Sequence, residues 1–97
     1  EVRMEVLRAL GELAPSFDAV ADILAAHRYD SNWKVRQALL EALARMTERG
    51  VITAELAATE GREVMLSGSG YMTHYPLKQA YNELPGRDVH VEEAPVP

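Results

Sequence analysis

The feature that most narrows what this chain can fold into is an internal repeat with a period of 33 residues. Self-similarity at a fixed period of about 20 to 50 residues marks architectures built by stacking one small supersecondary unit on the next. Sliding residues 1–14 onto 34–47 matches Val2 with Val35, Arg3 with Arg36, Leu7 with Leu40, Ala9 with Ala42 and Leu10 with Leu43, and it sets Val6 on Leu39 and Leu13 on Met46 conservatively. The same offset carries into the following segment, where Ala21 meets Ala54, Asp22 meets Glu55, Ile23 meets Leu56 and Ala25 meets Ala58. Two consecutive segments in one register indicate a duplicated unit.

Each unit reads as a pair of helices. In the first helix of each pair the apolar residues fall at helical spacing: Val35, Leu39, Ala42, Leu43 and Met46 in the second copy, and Val2, Val6, Ala9, Leu10 and Leu13 in the first. Ser16 is placed to cap a second helix on which Phe17, Val20, Ile23, Leu24 and His27 share a face, and Thr53 to cap its counterpart carrying Leu56 and Ala57. Pro15 and Gly50 stand where the first helix of each pair must stop.

A third copy emerges at an offset of 42, where "YPLKQAYNEL" lies on "WKVRQALLEA" with Gln79, Ala80 and Glu83 identical to Gln37, Ala38 and Glu41. The nine extra residues belong to a Gly- and Ser-rich stretch suited to an inserted loop. Pro76 fits the first helical position, and Pro85-Gly86 ends the helix. The expected organisation is one helical domain over 1–84, with repeat 1 at about 1–29, repeat 2 at about 30–66, an inserted loop at 67–75 and a partial third repeat or cap at 76–84. A flexible tail would follow at 85–97, where no helical period persists.

An Asp followed six residues later by Arg at the opening of such a helix, here Asp30 and Arg36, resembles the HEAT and HEAT-like (PBS-lyase-type) repeat family. The resemblance implies an all-α fold, a short right-handed α-solenoid of antiparallel helix pairs. It also implies that Asp30, Arg36 and the matching Arg3 form polar ladders between neighbouring repeats rather than a catalytic site. An Arg fork at a helix start suits that role, because it binds carboxylates or carbonyls across a junction. Nothing precedes Val2 except Glu1, and about three repeats are usually needed for a continuous core. The sequence therefore reads as the C-terminal piece of a longer solenoid or multidomain protein.

Composition bounds the partners. Ten Lys and Arg against fifteen Asp and Glu leave a formal charge of -5, which opposes binding to a phosphate backbone, so nucleic acid is not expected. DNA binding of the alkylation-repair type, also built on HEAT-like repeats, is disfavoured on the same ground. No apolar run approaches the roughly 18 to 20 residues of a membrane span, and no membrane partner is expected. The absence of cysteine rules out disulfides and thiolate metal sites and fits the cytoplasm.

Residues able to do chemistry are sparse. "SGSGYMTHYP" has neither the spacing of a phosphate-binding loop nor that of a nucleophile elbow. Its Ser67, Ser69, Tyr71, His74 and Tyr75 can offer at most polar contacts to a ligand or partner, or fold back over the end of the solenoid. His27, His74 and His90 lie far apart without partners at metal-ligand spacing, so neither a metal site nor a cofactor is expected. Trp33 reads as packing at the turn, like its match Tyr75.

In HEAT-like solenoids the second helices line the concave binding face, which by resemblance singles out Asp18, Asp22, Glu55 and Arg62. The expected function is a non-catalytic protein-interaction or scaffold module, with another protein or other domains of the parent chain as partner. The alternative is an accessory domain of a larger hydrolase, peptidase or lyase whose catalytic residues lie elsewhere.

Overall fold

The computed structural model describes residues 2–66 and 75–84 of the chain. Five helices follow one another in these residues: α1 (Val2–Leu13), α2 (Phe17–His27), α3 (Trp33–Glu48), α4 (Ala54–Leu66) and α5 (Tyr75–Asn82). No strand occurs among them.

Local chemistry sets the boundaries. α1 ends ahead of Pro15, which has no N–H to continue the ladder, and Ser16 then adopts an extended conformation while its Oγ accepts the Ala19 N–H at 3.2 Å to cap α2. Asn32 caps α3 by accepting the Lys34 N–H at 2.9 Å, and Thr53 caps α4 by accepting that of Leu56 at 3.1 Å. At the end of α3, Gly50 takes φ 78°, where a Cβ would be strained. Its N–H bonds to the Thr47 carbonyl and that of Val51 to the Met46 carbonyl, the paired bonds of a Schellman stop. α5 opens at Tyr75, so Pro76 sits one place later than expected yet still in the first turn, where its missing N–H costs nothing. Pro85-Gly86 and the tail lie outside the described residues.

Packing centres on α3, which lies against α1, α2, α4 and α5; α4 also touches α5. α1, α3 and α5 thus form a row with α3 in the middle. The shortest principal extent, 19 Å, is close to two helix diameters at about 10 Å each. Surrounded on nearly every side, α3 buries Val35, Ala38, Leu39, Leu40, Ala42, Leu43 and Met46. Each Leu or Val so enclosed contributes about 1.5–3 kcal/mol of transfer free energy, which makes α3 the helix on which the others depend. Val20 and Leu24 of α2, Ala57 and Val64 of α4, and Leu77 and Tyr81 of α5 complete the core.

α1 departs from expectation. Its buried residues are Leu7 and Gly11, whereas Val2, Val6 and Leu13 are 76%, 40% and 74% exposed. Ala9 is exposed and Leu10 half-buried. The matching Val35, Leu39 and Met46 of α3 are 0%, 2% and 0% exposed. The two helices carry the same stripe, but among the described residues α1 has extensive contact with α3 alone. It turns toward α3 the side that leads with Leu7 and Gly11, and the shared stripe is left to solvent. Similarly, Ile23 of α2, expected on the inner face, is exposed, while Val20 and Leu24 are buried.

Glycine permits the close approach of α1 to α3. A Cβ on Gly11 would stand 3.0 Å from the Ala42 Cα, a backbone atom that cannot swing aside.

Candidate interaction surfaces

Polar side chains tie α1 to α3 along their whole length. At the start, Arg3 Nη1 donates to Asp30 Oδ2 at 2.8 Å. In the middle, Arg8 approaches Glu41 at 3.6 Å and Arg45 Nε donates to Glu12 at 3.0 Å. At the end, Arg49 donates through Nη1 to the Gly11 carbonyl at 2.8 Å and through Nη2 to that of Ala14 at 2.9 Å. Contacts that advance together along both chains require α1 and α3 to run parallel. Between the other helices, Arg28 Nη2 donates to Glu60 at 2.7 Å and Tyr29 Oη to Glu63 at 3.1 Å.

The expected ladder residues meet as follows. The Asp30 carboxylate takes Arg3, the copy of Arg36 one period earlier, and its other oxygen accepts the Asn32 N–H at 2.8 Å. Arg36 donates instead to the Asp30 backbone carbonyl at 2.6 Å. It is 7% exposed, and its Nε has no acceptor among the described residues. One Asp thus joins both copies of the Arg, by side chain and by backbone.

Burial lowers the Arg28 guanidinium, but its hydrogen bond to Tyr29 and its attraction to Glu60 outweigh this and raise it above its ordinary value. Arg45 is raised by its hydrogen bonds to Glu12 and then Glu48. A raised basic group stabilises the fold below its unfolded pKa and loses that contribution only as pH climbs past it. Both guanidinium ions therefore stay charged at every ordinary pH.

Asp18, Asp22, Glu55 and Arg62 are all exposed on α2 and α4, with Asp18 and Glu55 in first turns where a negative charge suits the helix dipole. Tyr75 is 72% exposed, unlike Trp33, which is half-buried against the core with the Lys34 ammonium 5.8 Å from its ring centre. The aromatic match between the two therefore does not extend to packing. Ser69, Tyr71 and His74, with Ser67, lie outside the described residues. His27 is half-buried, with Nδ1 2.9 Å from the Ile23 carbonyl, the geometry of a ring held to its own helix. Among the described residues no cluster of His, Asp and Glu is placed to hold a metal ion, and no helix is long and apolar enough to cross a membrane.

The sequence held one signal that alignment by identity passes over. Glu12 and Arg45 stand one period apart with opposite charge, as do Arg8 and Glu41. Arg49 carried no such signal, because its acceptors are backbone carbonyls.

Compared with known proteins, the chain matches no family model, no curated protein and no solved structure.

Proposed function

We propose that this chain is a protein-interaction or scaffold module of HEAT-like repeats, a short right-handed solenoid acting through its shape rather than through chemistry, in a reducing compartment such as the cytoplasm. The observation that carries this reading is the pair of links between the parallel helices α1 and α3 at one 33-residue period, Arg8–Glu41 and Glu12–Arg45, with Arg3 reaching Asp30 in the turn before α3. Links of this kind are what a stacked-repeat scaffold needs to hold its units in register. Exposed ion pairs contribute little stability singly, so their repetition at one period supports a role in alignment.

The partner would be another protein or another domain of the parent chain. Asp18, Asp22 and Glu55, with Arg62, are exposed on α2 and α4, and by the resemblance they would form a mildly acidic surface suited to a basic or mixed-charge segment. The test is affinity capture with the intact chain as bait, followed by crosslinking and mass spectrometry, alongside variants Asp18→Ala, Asp22→Ala and Glu55→Ala. A specific partner lost from the triple variant is the expected result. A partner retained at full strength would exclude that face, and no specific protein partner at all would sink the module reading.

A further inference from the structure

Val2, Val6, Ala9 and Leu13 form an apolar stripe along the solvent side of α1, and the structure supplies a template for what would cover it. One period on, Val35, Leu39, Ala42 and Met46 are buried, and α1 packs on α3 beside this stripe, with Gly11 against its Ala42. The helix that does this brings a Leu, a small residue four positions on, and a charge after each: Leu7-Arg8 and Gly11-Glu12. Its charges meet Glu41 and Arg45 of α3, each the opposite in sign.

Moving that junction back by one period places Arg8 where Glu41 stands and Glu12 where Arg45 stands. Both side chains are about half exposed, which leaves them room for a second partner. A helix fitting this face in the same way must reverse the charges of α1, with the pattern Leu-acid-x-x-small-base, and must run parallel to α1. We propose that the outer face of α1 docks a parallel helix of a partner protein carrying this pattern. The inference rests on the module reading above and names the surface and the partner's chemistry. A second copy stacked head to tail is a poor occupant, because the exposed residues of α5 at the other end of the row include Lys78, Gln79 and Asn82. These would set an ammonium and two amides against the apolar stripe.

The pattern occurs in α3 itself as Leu40-Glu41 and Ala44-Arg45, which provides a probe of known sequence. A lactam-stapled peptide of residues 33–48 would be titrated into the intact chain and read by fluorescence anisotropy, with amide exchange locating the site. Binding should protect α1. It should weaken at least about tenfold, or about 1.4 kcal/mol, in Val6→Gln and Leu13→Gln, both at exposed positions where the fold tolerates change. It should weaken by a smaller, salt-sensitive factor of about threefold for the peptide carrying Glu41→Arg with Arg45→Glu, and be unaffected by Asp18→Ala with Asp22→Ala. Absence of binding, indifference to the charge exchange or to the α1 variants, or sensitivity to the α2 variants alone would overturn the proposal. So would self-association through α1 in analytical ultracentrifugation, which would make a second copy the occupant. None of these failures removes a partner captured at the α2 and α4 surface, so the module reading stands or falls separately.

Discussion

Along α3 the stripe Val35, Leu39, Ala42 and Met46 is sealed by neighbouring helices, whereas along α1 the matching Val2, Val6, Ala9 and Leu13 face water. The residue types are nearly the same, so the difference comes from position in the row. A helix in the middle of the row is flanked on both sides and keeps only the side of Lys34, Glu41, Arg45 and Glu48 open, whereas one at the end leaves a whole flank uncovered. Burial in this molecule is thus decided by how many helices lie around a stripe, and the stripe's own hydrophobicity only makes burial worthwhile.

The sharpest way to break this comparison is to truncate the same repeat position in both copies. Met46→Ala should cost about 2–5 kcal/mol through lost transfer energy and a cavity, and Leu13→Ala within about 0.5 kcal/mol. Urea denaturation of both variants checks this, and equal costs would show that α1's outer side is enclosed after all. Next in size is Arg49→Met, which leaves the Gly11 and Ala14 carbonyls without their charged donor. A loss of about 2 kcal/mol is expected, with faster amide exchange at the end of α1 than at the end of α3, whose stop is made by Gly50.

Gly11→Ala sets two effects against each other. Alanine gains about 1 kcal/mol in helix propensity, but its Cβ would meet the α3 backbone at Ala42, and overpacking of this kind costs about 1–3 kcal/mol. A net loss of about 1 kcal/mol by thermal denaturation is expected, and a gain would show that α1 rides loosely on α3. The smallest effect belongs to the exposed pair Glu12 and Arg45: a double-mutant cycle with Glu12→Gln and Arg45→Gln should give a coupling close to the limit of measurement and erased by salt.

The helices themselves, the caps at Ser16 and Thr53, the stop at Gly50 and the buried face of α3 were legible in the residues that form them. The inward side of α1 was not. A periodic stripe reports which residues share a face, but not whether a neighbour is there to cover it. Leu7 matched Leu40 in the alignment and still fell outside the stripe, since the row uses a second side of each helix for its next contact. The acidic residues of α2 and α4 were legible as exposed, being unpaired with any apolar period. The α1 face was hidden by its likeness to a core.

The alternation of charge between Arg8 and Glu41, and between Glu12 and Arg45, also bears on how such a chain can arise. A newly duplicated unit is identical to its parent, and stacked in register it would set arginine on arginine and glutamate on glutamate at these two rungs. Exchanging the charges of one copy turns that small repulsion into a small attraction, so divergence at these two rungs favours stacking of the copies in register. Part of the difference between the copies thus works in favour of their fit.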